Sequence, residues 1–119
     1  MGQPYRDLVV WNKAMELVME IYRLTQAFPK EEIFGLLSQL RRSAVSIPSN
    51  IAEGQGRLSR GEFRVFLGNA RGSLSELETQ ILIARKLDYL TESDADELME
   101  RASEVGRILN GLIGSMKKA

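Results

Sequence analysis

RRSAVSIPSNIAEGQGRLSRGEF, residues 41–63, decides how this chain is read. It sets a proline inside a helical apolar pattern, with a double arginine before it and a glycine-rich break behind it. Pro48 removes one backbone donor and crowds the carbonyl of Ala44. Two outcomes are open, a break into two helices or one helix kinked at Pro48. The apolar spacing favours the second, because Leu40 and Ala44 before the proline and Ile51 after it stay in phase. Such a kink leaves a carbonyl free for a side chain or a water. Gly54 and Gly56 then stop the helix, glycine being cheap in the left-handed conformation of a C-terminal cap. Ser59 opens the next helix, and Glu62 three residues later completes a capping box.

The same helical spacing runs outward in both directions, with no alternating, strand-like segment. Residues 31–53 form the proline-bearing helix, with Ile33, Leu37, Leu40, Ala44, Ile47 and Ile51 on its apolar seam. Before it, residues 7–27 form a helix with Trp11, Met15, Val18 and Tyr22 as its seam; Phe28-Pro29 ends it, since a residue before proline is pushed out of the helical region. After it, residues 60–88 carry Phe63, Leu67, Ala70, Leu74, Leu77, Ile81 and Ala84. A last helix over 92–117 starts behind Thr91, with Glu92, Asp94 and Asp96 suited to the positive end of its dipole. Its seam is Ala95, Leu98, Ala102, Val105, Leu109, Leu112 and Met116. Seams stepping by three and four are those of left-handed coiled packing. Long helices with short connections predict an all-α, antiparallel, up-down-up-down four-helix bundle occupying 1–119 as one domain.

Composition narrows the chemistry. Cysteine and histidine are both absent from the 119 residues. That removes disulfides, thiolate and imidazole metal sites, and the commonest general base. Carboxylates such as Glu76 and Glu78 sit two apart, which sends them to different helix faces. There is no P-loop, no G-x-G-x-x-G after a strand, and no Glu-x-x-His signature of the kind bundles use for di-iron sites. The expectation is no enzyme, no cofactor and no metal. No apolar run approaches the ~20 residues of a membrane span, and MGQPYRDLVV lacks a secretory pattern. A cytoplasmic protein with no membrane partner is expected.

Net charge is zero, but charge is segregated. From Arg41 to Arg71 six arginines stand against Glu53 and Glu62; from Asp88 to Glu104 seven acids stand against Arg101. Such segregation attracts nucleic acid at one site, pairs subunits head to tail, or is two solvated faces. The candidates for nucleic-acid contact are Arg57, Arg60, Arg64 and Arg71. At about 100° per residue, Ser38, Arg42, Ser46, Ser49 and Glu53 point away from the core, with Asn50 at the edge. The stripe of Arg42, Ser46, Ser49, Asn50 and Glu53 is either a plain solvent face or a contact surface. The outer face of the third helix carries Val65, Gly68, Gly72, Glu76, Thr79 and Ile83. A helix that is small or apolar on its outer face as well is covered on both sides, here by another subunit.

Three stretches also carry a resemblance: LVVWNKAMELVMEIYRLT, FPKEEIFGLLSQLRRSAVSIPSNIAEGQGR and EFRVFLGNARGSLSELETQ. They resemble the 23S rRNA intervening-sequence proteins, from about Tyr5 to Leu90 with a freer last helix. The resemblance implies a small bacterial four-helix bundle, with relatives that assemble as homopentameric rings. A more distant similarity is to the accessory protein of diversity-generating retroelements, a basic pentameric barrel that binds nucleic acid. The family's signature positions fall on Gln39, Arg41, Arg42, Ser46, Pro48, Asn50, Glu53, Gly54, Phe63, Gly72, Ser73, Glu76 and Glu78, and no catalytic role comes with them. Two functions follow. One is a homo-oligomer, a pentamer by resemblance, associated with RNA; the other is a protein-interaction scaffold with no nucleic-acid binding. Zero net charge weakens an undirected grip on a phosphate backbone, so any RNA contact rests on local arginines.

Overall fold

The computed structural model describes residues 4–116 and holds four α-helices: α1 Val9–Thr25, α2 Leu36–Gln55, α3 Arg60–Lys86 and α4 Glu92–Ser115. Single 3-10 turns at Tyr5–Asp7 and Lys30–Glu32 precede α1 and α2. No strand occurs among the described residues, so the chain is all-α as its periodicity predicts.

Cross-helix pairs give the topology. Arg41 reaches Thr25, Ser43 reaches Gln80, Ser46 reaches Ser73, Arg71 reaches Asn110 and Arg60 reaches Ser115. Lys13 pairs with Glu104 and Glu16 with Arg101. For α2/α3, α3/α4 and α1/α4 a rising number on one helix meets a falling number on the next. Between α1 and α2, Trp11 shares a groove with Ala52 while Tyr22 shares one with Leu37. Neighbouring helices therefore run antiparallel around the square α1–α2–α3–α4. At one end the two connections are tied together. Tyr89 packs against Phe28 with ring centroids 5.3 Å apart and donates its hydroxyl proton to Glu32 Oε2 at 3.0 Å.

The helix ends follow local chemistry. Ser59 Oγ accepts from the Glu62 amide at 3.1 Å, and Thr91 Oγ1 accepts from the Asp94 amide at 3.0 Å. α3 closes two residues before the expected bound at 88, at Lys86, because Asp88 takes a left-handed conformation (φ 63°) that cannot continue a helix. α2 begins five residues later than expected. Residues 30–32 wind as a 3-10 turn, and Glu32 Oε1 accepts from the Leu36 amide at 2.9 Å, capping α2 from outside the helix. Past that start α2 runs unbroken through Pro48 to Gln55, so the proline does not split it. A side chain does serve a carbonyl here: Asn50 Nδ2 donates to Ser46 O at 2.8 Å, two residues beyond the carbonyl that the proline crowds.

One core cluster joins all four helices. α3 delivers Leu67, Ala70, Leu74, Leu77, Ile81 and Ala84 to it as expected, with Phe63 at the margin. α4 delivers Ala95, Leu98, Ala102, Val105 and Leu109, but finishes on Ile113, while Leu112 and Met116 pack at the edge. α1 departs from expectation. Its core residues are Val10, Ala14, Leu17, Val18 and Ile21; Met15 and Tyr22 are 36% and 38% exposed and Trp11 is half-buried. Of the expected seam only Val18 is buried. Ile33, expected on the α2 seam, lies outside the helix and exposed.

Candidate interaction surfaces

The arginines come first. Arg60, Arg64 and Arg71 are four and seven residues apart, which places them on one flank of α3, turned toward α4. Arg60 donates to the Ser115 carbonyl at 3.1 Å and Arg71 to Asn110 Oδ1 at 3.0 Å. These partners are neutral, so both guanidinium groups are oriented without losing net charge. Arg64 is exposed and forms no ion pair among the described residues. Arg57 differs. It lies in the turn before α3, donates to Glu53 Oε2 at 2.9 Å, and stacks on Phe66 with its guanidinium carbon 4.6 Å from the ring centre. Its charge is answered locally. The structure adds Arg107, whose Nη1 donates to Ser103 Oγ at 3.0 Å and which lines the same α3/α4 groove as Arg71, with Glu78 beside them. Arg107 lies in the freer last helix, outside the arginine-rich window, and only the helix pairing brings it across.

The α2 stripe divides. Arg42, Ser49 and Glu53 are exposed. Ser46 is not turned away from the bundle: it is half-buried, and its Oγ lies 2.7 Å from Ser73 Oγ of α3. Asn50 is half-buried beside it and donates to both Ser46 O and Ser46 Oγ. One turn earlier Ser43 Oγ donates to Gln80 Oε1 at 2.7 Å, with both residues buried. Ser46 and Asn50 therefore belong to a polar seam between α2 and α3. Asn50 sits at the edge of the core, as helical phase places it. Ser46, expected to point away, does not, because α3 packs far enough round α2 for Ser73 to meet it.

On the outside of α3, Val65 is 63% and Ile83 42% exposed, with Glu76 and Thr79 between them. A β-carbon placed on Gly68 or Gly72 would meet nothing within 4 Å. Neither glycine is needed for packing within one copy of the bundle.

The surface that sequence periodicity misplaced is the α1/α2 furrow. Tyr5, Trp11, Met15, Val18, Pro48 and Ala52 line an apolar groove of about 310 Å³. Tyr22, Ile33, Leu37, Arg41 and Arg42 line a second of about 450 Å³. Both include Val45, so they run on as one furrow. Arg41 spans it at one end. Its Nε donates to the buried Thr25 Oγ1 at 3.0 Å, Nη2 donates to Tyr22 O at 3.3 Å, and the guanidinium lies 4.5 Å from the Tyr22 ring centre. It caps the end of α1 and fastens α1 to α2. Neither Arg41 nor Arg42 has a carboxylate within ion-pair distance among the described residues.

Titration is perturbed elsewhere. The Arg23 guanidinium, bonded to Glu20, holds that carboxyl below its ordinary range. The hydroxyl of Tyr89 is pushed up by its hydrogen bond to the Glu32 carboxylate. The first contact fastens one turn of α1 and the second ties the two connections together; neither is a convergent acid and base. Among the described residues no group of three carboxylates converges as a metal site, and no helix is long and apolar enough to cross a membrane.

No curated protein sequence matches the chain. Among solved structures, the crystal structure of a protein of unknown function from the S23 ribosomal protein family of Bacteroides thetaiotaomicron VPI-5482 is similar, with a TM-score of 0.82 and 25% identity. The likeness covers 88% of this chain and 98% of that one. The family model described as 23S rRNA-intervening sequence protein matches residues 6–111, from ahead of α1 to within the last turns of α4, and the chain belongs to that family.

Proposed function

We propose that the protein is a non-catalytic, cytoplasmic homo-oligomer whose α3/α4 flank contacts the phosphate backbone of RNA. One observation carries the RNA reading: Arg60, Arg64 and Arg71 share a flank of α3, and the two that are hydrogen-bonded are held by neutral partners. Guanidinium groups oriented in this way retain their charge for phosphate oxygens. Arg107 extends the flank onto α4. The lack of histidine and cysteine supports a role without catalysis. Assembly draws support from the apolar residues left outside on α1, α2 and α3, and the family resemblance points to five copies.

A gel shift with a structured RNA over a salt series tests the RNA reading. Retention is expected at low salt and should weaken as salt rises, since phosphate contacts release counterions. Arg60→Glu with Arg64→Glu should abolish retention and leave helical content unchanged by circular dichroism. A wild-type protein that retains no RNA at low salt overturns the reading. A second reading, a protein-interaction scaffold without nucleic acid, is favoured by the apolar α1/α2 furrow, and that same negative result would select it.

A further inference from the structure

α1 is apolar on two faces. Val10, Ala14, Leu17 and Ile21 fill the core, while Trp11, Met15 and Tyr22 line the furrow against α2. A helix with two apolar faces is one that is covered twice. Within the bundle the furrow has no cover. Its two grooves share Val45 and extend from Trp11 and Ala52 to Leu37 and Ile33. Toward the Leu37 end it is cationic, through Arg41 and Arg42.

The same chain carries a surface of opposite character. The outer face of α3 presents Val65 and Ile83, exposed, with Glu76 between them as its one charged residue. Charge and spacing of the two surfaces agree. From Arg42 to Ala52, beside Trp11, is ten residues or about 15 Å of helix; from Glu76 to Val65 is eleven residues or about 16 Å. In the other direction Leu37 is about 7 Å from Arg42, with Ile33 beyond it, and Ile83 is about 10 Å from Glu76. Setting Glu76 on Arg42 therefore sets Val65 over the Trp11 end and Ile83 over the Leu37–Ile33 end at once.

We infer that the α1/α2 furrow is the docking site for the outer face of α3 from a second copy of this chain, with Glu76 of that copy meeting Arg42. The inference rests on the homo-oligomeric reading above and specifies its contact. The two surfaces differ, so the contact is heterologous: each copy offers its α3 face to one neighbour and its furrow to another. A chain of such contacts closes into a ring or extends as a filament according to the rotation between neighbours.

Heterologous contact has a distinctive test. Val45→Asp spoils the furrow and leaves α3 intact; Val65→Asp with Ile83→Asp spoils the α3 face and leaves the furrow intact. All three positions are exposed, so the helices should form, as circular dichroism will verify. By light scattering at tens of micromolar, the wild type should be oligomeric and each variant should run at 13.4 kDa. Their equimolar mixture should give a species of twice that mass and no larger, because one good furrow meets one good α3 face and extension then stops. Trp11, the sole tryptophan, lines the furrow and should shift its emission to the blue on mixing. Arg42→Glu and Glu76→Arg should each weaken assembly, and together in one chain restore it; this pair serves if an aspartate variant fails to fold. An α3-face variant that assembles like the wild type, a furrow variant that does so, or a mixture that stays monomeric overturns the inference while leaving a homo-oligomer standing. A wild-type monomer overturns both.

Discussion

α2 makes two seams, and they differ in kind. Toward α3 it is closed: a β-carbon at Gly54 would lie 2.5 Å from Phe66 Cβ and 3.0 Å from Phe63 Cδ1, and Ser43, Ser46 and Asn50 spend their hydrogen bonds inside the contact. Toward α1 it is open, fastened by Arg41 and floored by apolar side chains that solvent still reaches. Polar residues in a closed seam fix how two helices of one chain meet. Apolar residues in an open seam leave a surface whose burial must come from elsewhere. Much of the 41–63 block that looks like a functional signature is thus the lock between α2 and α3, while the surface available to a partner is the plainer-looking apolar stripe of α1.

The contrast breaks most visibly at Gly54. Alanine already forces Phe66 to move, and leucine has no room at all. Overpacking a tight contact typically costs about 1–3 kcal/mol, and Gly54→Leu should exceed the upper end of that range because the obstructing atom is the Cβ of Phe66, which moves only with the α3 backbone. Urea unfolding should give a large drop in midpoint or no cooperative transition. A Gly54→Leu protein as stable as wild type would mean that the α2/α3 seam is not closed.

The lock can be sharpened with a pair of substitutions. Ser43→Ala leaves the Gln80 carbonyl oxygen without its buried donor, and an unsatisfied buried group costs about 1–3 kcal/mol. Gln80→Leu in the same chain removes the acceptor as well, and replacing both partners by apolar groups can be nearly neutral. The double variant should therefore recover most of the stability that Ser43→Ala loses, measured as a coupling in a double-mutant cycle. Additive losses would place the Ser43–Gln80 contact outside the stabilising part of the seam.

How far the sequence reveals all this depends on how many apolar stripes a helix carries. α3 and α4 carry one dominant seam each, and their cores are legible apart from the last turn of α4, where Ile113 replaces Leu112. α1 has two stripes of equal helical spacing. The larger and more aromatic one draws the eye, yet tryptophan and tyrosine favour a rim where the ring is covered and the polar atom stays wet. The core instead took Ala14, Leu17 and Ile21. The start of α2 was hidden because its cap is the glutamate at position 32 reaching forward, not a serine, threonine or aspartate at the helix edge. The arginine flank was legible as composition, but its partition was not: only contacts across helices distinguish Arg57, answered by Glu53, from Arg60 and Arg71, held by neutral oxygens.

The smallest expected effect on stability is also the sharpest probe of the open seam. Met15 lies on the floor of the furrow beside Trp11 and is 36% exposed. Met15→Gln keeps the unbranched shape and nearly the same helix propensity, and exchanges a thioether for an amide that water can solvate. In one copy of the bundle the site is already partly wet, so the change should fall within the ~0.5 kcal/mol typical of surface substitutions. If a neighbour covers the furrow, the amide is buried without a partner and incurs a desolvation cost of about 1–3 kcal/mol at each contact. The expected outcome is an unfolding curve, taken where the protein is dilute enough to be monomeric, that overlays the wild type. The concentration dependence of mass by light scattering should instead move toward dissociation. Equal loss in both measurements would make Met15 a core residue after all and place α1's working seam where its sequence first suggests.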